Sequence, residues 1–279
     1  MTQPLPARPL MRLIGLDGCR AGWVVAACDL DADGAEFPLA ALTVWVAPSF
    51  APLLEPAPDR AILVAVDMPI GLPTGHPRDD GRRQADEAAR AFLGGRRGSS
   101  VFAAPCRPTL ACTSYRAACA SELATRGSQL SQQAFRIIPK VREVDAAVHP
   151  AHQRQPGHAG SVAVREAHPE SVFAALLGGG ARGYGLTQAK RTPEGEAERL
   201  ALLQPFVGAL DLGAIRSAAI ARFRTEHGQT GGPVVGRDDI VDAAACLVAA
   251  YRVVTGQSLT FPAETAAYDE RGLRMEIVA

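Results

Sequence analysis

A chain of 279 residues that is 47% apolar and 21% charged has the composition of a globular protein, which excludes a fibrous or wholly disordered one. Its 29 basic and 29 acidic residues balance, so no global field draws it to nucleic acid or an anionic membrane, and any polyanion site must be local. The length suits one large α/β domain and would cramp two full-size cores.

Residues 1–9 are Pro-rich and lack the long apolar run of a signal peptide, so they read as a disordered tail. Residues 10–17 form an apolar strand that ends in Asp17, GCRAG turns the chain, and residues 23–30 return as a second strand. DADG at 31–34 is turn chemistry, and residues 37–47 supply a third antiparallel strand, followed by a short helix near 49–57. The continuous apolar run AILVAVD at 61–67 predicts a strand buried on both faces, which stops at Asp67 because MPIGLP cannot pair regularly. Helical patterns cover 79–93, 113–126 and 132–148, with an irregular basic stretch at 94–108 between the first two.

A polar connector at 151–160 leads into a strand at 161–166, then a Pro-started helix that glycines close. The chain is read as helical to His227. Residues 237–254 are its clearest helix, and short strands at 258–261 and 273–278 finish it. The expected fold is an α/β mixed sheet, three antiparallel strands plus parallel strands, flanked by helices in one domain over 10–279. Residues 79–150 exceed one crossover and read as an inserted helical cap over the cleft. The most apolar late stretch, 243–254, contains Arg252 and is too short to span a bilayer, so a cytoplasmic protein without a membrane partner is expected. Six cysteines without a CxxC pair read as reduced thiols.

Acid collects at the ends of these elements. Asp17, Asp67 and Glu166 each close a strand, Glu170 follows in the next helix, and Asp238, Asp239 and Asp242 crowd the start of the late helix. The carboxyl ends of strands in open α/β sheets border the ligand crevice, so the acids are expected to converge there. Carboxylates sharing a pocket repel unless a cation offsets them, and hard oxygen ligands suit Mg²⁺ or Mn²⁺. Asp17, Asp67, Glu166 and Asp239 are the expected ligands, and Glu170 and Asp242 join them as catalytic candidates. Turn roles for Asp17 and Asp67, and a helix cap at Asp238 or Asp239, are the competing structural readings. His168 is weighed as a general acid or base against a structural role. Arginines outnumber acids between 76 and 107, which makes a phosphate-facing patch ending at Arg107. Ser99, Ser100 and Lys190 are further phosphate donors.

Five segments, GLDGCRAGWV (15–24), VAVDMPIGLP (64–73), GSSVFAAPCR (98–107), VREAHPESVF (164–173) and DDIVDAAACL (238–247), resemble domain-of-unknown-function family 429, described as predicted RNase H-like nucleases. The resemblance implies an RNase H-like core whose metal site is lined by Asp17, Asp67, Glu166 or Glu170, and Asp239 or Asp242. It also draws in Arg20, Arg165 and Lys190. The expected function is metal-dependent phosphodiester hydrolysis on RNA, DNA or a phosphorylated small molecule. An ATPase of the actin-like or sugar-kinase type and a non-catalytic nucleic-acid-binding module are the alternatives.

Overall fold

The apolar runs do become strands: β1 (Leu10–Cys19), β2 (Gly22–Leu30), β3 (Thr43–Ala47), β4 (Arg60–Val66) and β5 (Val162–Glu166). They form one sheet in the order β3-β2-β1-β4-β5. The first three are antiparallel, and β4 and β5 run parallel to β1 and to each other. This is a mixed sheet with an RNase H-like arrangement. The computed structural model describes residues 10–30, 42–75, 82–178, 186–228 and 235–279. The expected tail, the DADG turn and the first half of the expected third strand lie outside the described residues, as do the start of the 79–93 helix and Arg78.

Helices cover both faces. They are α1 (Gln84–Arg97), α2 (Tyr115–Arg126), α3 (Gln132–Ala147), α4 (Pro169–Leu176), α5 (Pro193–Val207), α6 (Leu212–His227) and α7 (Arg237–Val254). Ser114, Ser131, Thr192 and Asp211 cap α2, α3, α5 and α6 by accepting from a backbone N–H three residues on. Residues of one parity on β1 and β4, Leu13, Leu63 and Ala65, pack with α7, α4 and α1. Those of the other parity, Ile14, Leu16, Val64 and Val66, pack with Ile138, Val141 and Val144 of α3. The inserted helices are divided between the faces, and Asp86 of α1, Ile137 of α3 and the segment 100–102 between α1 and α2 border the cleft. β6 (Thr260–Phe261) and β7 (Ile277–Val278) form a separate ribbon beside β5, joined through Ala167 and Val278.

The position of α7 decides the site. Its residues from Ile240 to Ala250 are all buried, as expected of a helix that is apolar all round. Its small side chains let it lie directly on β1 at Gly15, where an added Cβ would fall 2.1 Å from the Ala243 carbonyl oxygen and 2.1 Å from the Leu247 nitrogen. Only a glycine allows that approach. On the helix, Asp242 immediately precedes the contact, and on β1, Asp17 lies two residues beyond it on the same face of the strand.

Candidate metal centre

Period-two alternation points Asp17 and the α7-facing residues Leu13 and Gly15 to one side of β1. Asp67 continues β4 by one residue, its N–H donating to the Leu16 carbonyl at 3.0 Å, and has the same parity as Leu63 and Ala65. Asp242 comes down from α7. One carboxylate oxygen from each of Asp17, Asp67 and Asp242 lies within 4.8 Å of the other two. Asp17 and Asp242 are buried and Asp67 is half-buried.

Asp17 Oδ1 accepts from the Gly18 N–H at 2.8 Å, and Asp242 Oδ2 is ion-paired with the Lys190 ammonium. Asp242 Oδ1 is buried and has no hydrogen-bond partner among the described residues. Burial, followed by the Asp242 and Asp67 charges, raises the Asp17 carboxyl well above its ordinary range. Burial raises Asp67 against the pull of His168 and Lys190, and pushes Asp242 up to about 7 against Lys190. One ammonium does not offset two buried carboxylates and a half-buried one. The Cys246 thiol, one turn along α7, is also raised well above its usual value, chiefly by burial, so it stays protonated and is a poor ligand.

These residues fit a small divalent cation. Oxygens around Mg²⁺ at about 2.1 Å lie roughly 3 to 4 Å apart, so atoms within 4.8 Å need only small side-chain adjustment. The donors are hard oxygens, and the orphaned Oδ1 of Asp242 is a buried lone pair that a cation would satisfy.

Two of the four expected ligands lie outside the three-aspartate cluster, although Glu166 lines the same cleft as Asp17 and Asp67. Glu166 aligns with Val66, whose face of the sheet is opposite that of Asp17, and its carboxylate is held by Arg83 Nη1 at 2.9 Å, by Arg83 Nη2 and by the Ile70 N–H at 2.7 Å. Burial pushes it to about 7, with Arg83 opposing. Asp239 closes the N-terminus of α7, its Oδ2 accepting from Gly236 N–H at 2.7 Å, and Asp238 faces Arg191. Gly236 is the N-cap and Asp239, third in the helix, bonds back to it, while Asp242, one turn further in, meets the strand acids. Glu170 is paired with Arg199 and lies 3.8 Å from Arg97, close enough for its charge to raise both Asp67 and Asp242.

The expected phosphate donors divide in the same way. Lys190 holds Asp242. Arg107 is enclosed by Asp145, Asp269 and Glu270, and Arg165 is buried beside Glu276, so neither presents a guanidinium to the cleft. Arg20 is exposed on the β1–β2 turn, and Ser99 is exposed too. Ser100 does border the cleft, but its hydroxyl donates to the Arg97 carbonyl at 2.6 Å. The arginine patch survives in part as a groove lined by Arg82, Arg83, Arg90 and Arg126 with Asp86 and Glu87. There Arg83 is committed to Glu166 and Arg126 to Glu122.

Asp17 and Asp67 open into a cleft of about 190 Å³ whose other walls include Met68, Phe102, Ile137 and His168. His168 is held in place, Nε2 lying 3.3 Å from the Ser100 carbonyl oxygen and Nδ1 3.5 Å from Ser171 Oγ. The aromatic wall was not singled out from the sequence. A Phe in an irregular Gly-Ser-Ala-Pro stretch carries no periodic signal.

Fold and site together define an α/β protein with an RNase H-like sheet and a buried three-aspartate cluster suited to a metal ion. The chain belongs to the family described as "Protein of unknown function (DUF429)", whose model matches residues 15–267 and so spans all five motifs. No curated protein and no solved structure gives a significant match to it. Among the described residues, no helix is long and apolar enough to cross a membrane.

Proposed function

We propose that this protein is a divalent-metal-dependent phosphodiesterase, a nuclease built on the RNase H-like sheet. The observation that carries this reading is the convergence of Asp17, Asp67 and Asp242 with an unpartnered, buried Asp242 oxygen. Asp17, Asp67 and Asp242 would hold Mg²⁺ or Mn²⁺. When bound, such an ion activates water at neutral pH and offsets charge on a phosphoryl or leaving oxygen.

The chain's own residues do the rest. Asp17 sits on a central strand, Asp67 one residue past the end of another with its N–H bonded to the Leu16 carbonyl, and Asp242 on a helix packed against them, so the carboxylates are anchored to rigid elements. Buried acids repel a phosphate in the absence of a cation, which makes substrate entry dependent on metal. His168 is fixed on the wall of the same cleft by its contacts to Ser100 and Ser171, and it is the candidate to take or supply a proton there.

The test is incubation of the pure protein with Mn²⁺ or Mg²⁺ and end-labelled single-stranded RNA, single-stranded DNA, duplexes and branched junctions. Cleavage that disappears in Asp17→Asn is the expected result. Cleavage persisting in that variant would sink the reading, and tight metal-free binding without cleavage would favour a binding module.

A further inference from the structure

Phe102 is the aromatic residue on the wall of the acidic cleft, and its side chain is 39% exposed. A lone exposed apolar residue ordinarily needs no explanation. Here the backbone around it is fastened on both sides. His168 Nε2 meets the Ser100 carbonyl at 3.3 Å, Arg90 Nε donates to the Val101 carbonyl at 2.8 Å, and the Ala104 N–H donates to Asp86 Oδ2 at 2.8 Å. Val101 and Ala104 are buried while Phe102 between them is not. The ring is held out by a pinned segment.

The rest of the cleft says what such a ring would meet. Met68, Pro69, Ile137 and Ile277 share its lining with Asp17, Asp67 and Glu166, and among the described residues neither Lys nor Arg lines it. A duplex would offer this wall its sugar–phosphate backbone, and Lys190 beside the acids is already paired with Asp242. A base turned out of a strand would offer a flat apolar face to Phe102 and its neighbours while its phosphate stays by the acids. The cleft, about 190 Å³, is below the usual range of about 300 to 1,000 Å³ for drug-sized ligands, so it suits one planar group rather than a longer segment. The groove lined by Arg82 and Arg90 shares Asp86 with the cleft, and there Arg82 pairs with Glu87 while Arg90 donates to the Val101 carbonyl.

We propose that Phe102 is a base-stacking platform and that the substrate is single-stranded or locally unpaired nucleic acid, presented to the acids one nucleotide at a time. This rests on the nuclease reading above and narrows its substrate class. Stacking of a base on an aromatic side chain is sequence-tolerant, and its loss typically weakens binding by roughly 5- to 150-fold.

The experiment is equilibrium binding by fluorescence anisotropy in Ca²⁺, comparing a labelled 12-mer single-stranded oligonucleotide, the same oligomer with abasic sites, and its duplex. Wild type, Phe102→Ala and Phe102→Trp are measured, with Mn²⁺ calorimetry on each to show that the acid cluster is intact. Wild type should prefer the base-bearing single strand. Phe102→Ala should lose roughly 5- to 150-fold of that affinity and no longer distinguish the abasic oligomer. Phe102→Trp should retain binding, with its emission quenched by the base-bearing strand. Equal or tighter duplex binding by the wild type, unchanged affinity in Phe102→Ala, or no binding to any of the three probes would overturn the proposal. Discrimination without cleavage under Mn²⁺ would leave the stacking role standing and sink the nuclease reading, whereas duplex cleavage at full rate by Phe102→Ala would do the reverse.

Discussion

Asp17, Asp67 and Asp242 titrate near 3.9 in an unfolded chain but are raised by burial in the fold, Asp242 to about 7. The folded protein therefore binds more protons than the unfolded one between about pH 4 and 7. Stability from these groups is fully present below that window and is lost as pH rises through it. A cation that binds only ionised carboxylates restores it, so Mn²⁺ should raise the thermal midpoint more at pH 8 than at pH 5. An equal or larger rise at pH 5 would contradict this. Glu166 is likewise pushed to about 7 by burial, but it is paired with a buried arginine, Arg83. Glu166→Gln should lower stability by about 3 kcal/mol in urea denaturation by leaving Arg83 buried and half-paired. A loss below about 1 kcal/mol would show that the pair is dispensable. The residue types were legible in the sequence, but their sorting was not. In the sequence Glu166 ends a strand-like run just as Asp17 and Asp67 do, and only the pairing of β5 with β4 reveals that it faces the other way.

Among the elements, the packing of α7 on β1 sets the distance between Asp242 and Asp17. Gly15→Ala would drive a methyl into the Ala243 carbonyl and the Leu247 nitrogen, with no flexible side chain to yield. We expect a loss of about 3 kcal/mol or more, together with weakened Mn²⁺ binding, because the helix must back away from the strand. Wild-type stability in this variant would mean that α7 has room the packing does not reveal. Continuous apolar runs made β1, β4 and α7 readable, since burial on every side leaves no polar face to confuse the period. The cap role of Asp239 against the site role of Asp242 was less readable. They are three residues apart and share a helical face, and the division follows from how far down the helix the strand acids reach.

At the scale of the whole molecule, the C-terminal segment fastens the loop that follows Asp67. Asp269 accepts from the Leu72 N–H at 3.1 Å, from the Leu273 N–H at 2.8 Å and from the Arg271 N–H at 2.9 Å, and it pairs with Arg107. Asp269→Ala would leave the Arg107 charge and three N–H groups short of a partner, and should cost about 3 to 5 kcal/mol in a urea melt. A cost under about 1 kcal/mol would show that the segment is not fastened there. These contacts join residues almost 200 positions apart. Periodicity cannot report them, which is why Arg107 looked available to phosphate when read in a locally basic stretch. The mixed α/β sheet was legible from the order of runs and turns, whereas the distribution of α1, α2 and α3 over two faces depends on which side of the sheet each crossover passes.

The claim that three particular aspartates make one metal site is tested most directly by Mn²⁺ calorimetry on the wild type and on five single variants. Binding should be lost in Asp17→Asn, Asp67→Asn and Asp242→Asn and kept in Glu166→Gln and Asp239→Asn. Binding that survives Asp242→Asn while failing in Glu166→Gln or Asp239→Asn, or no binding in the wild type, would contradict the assignment.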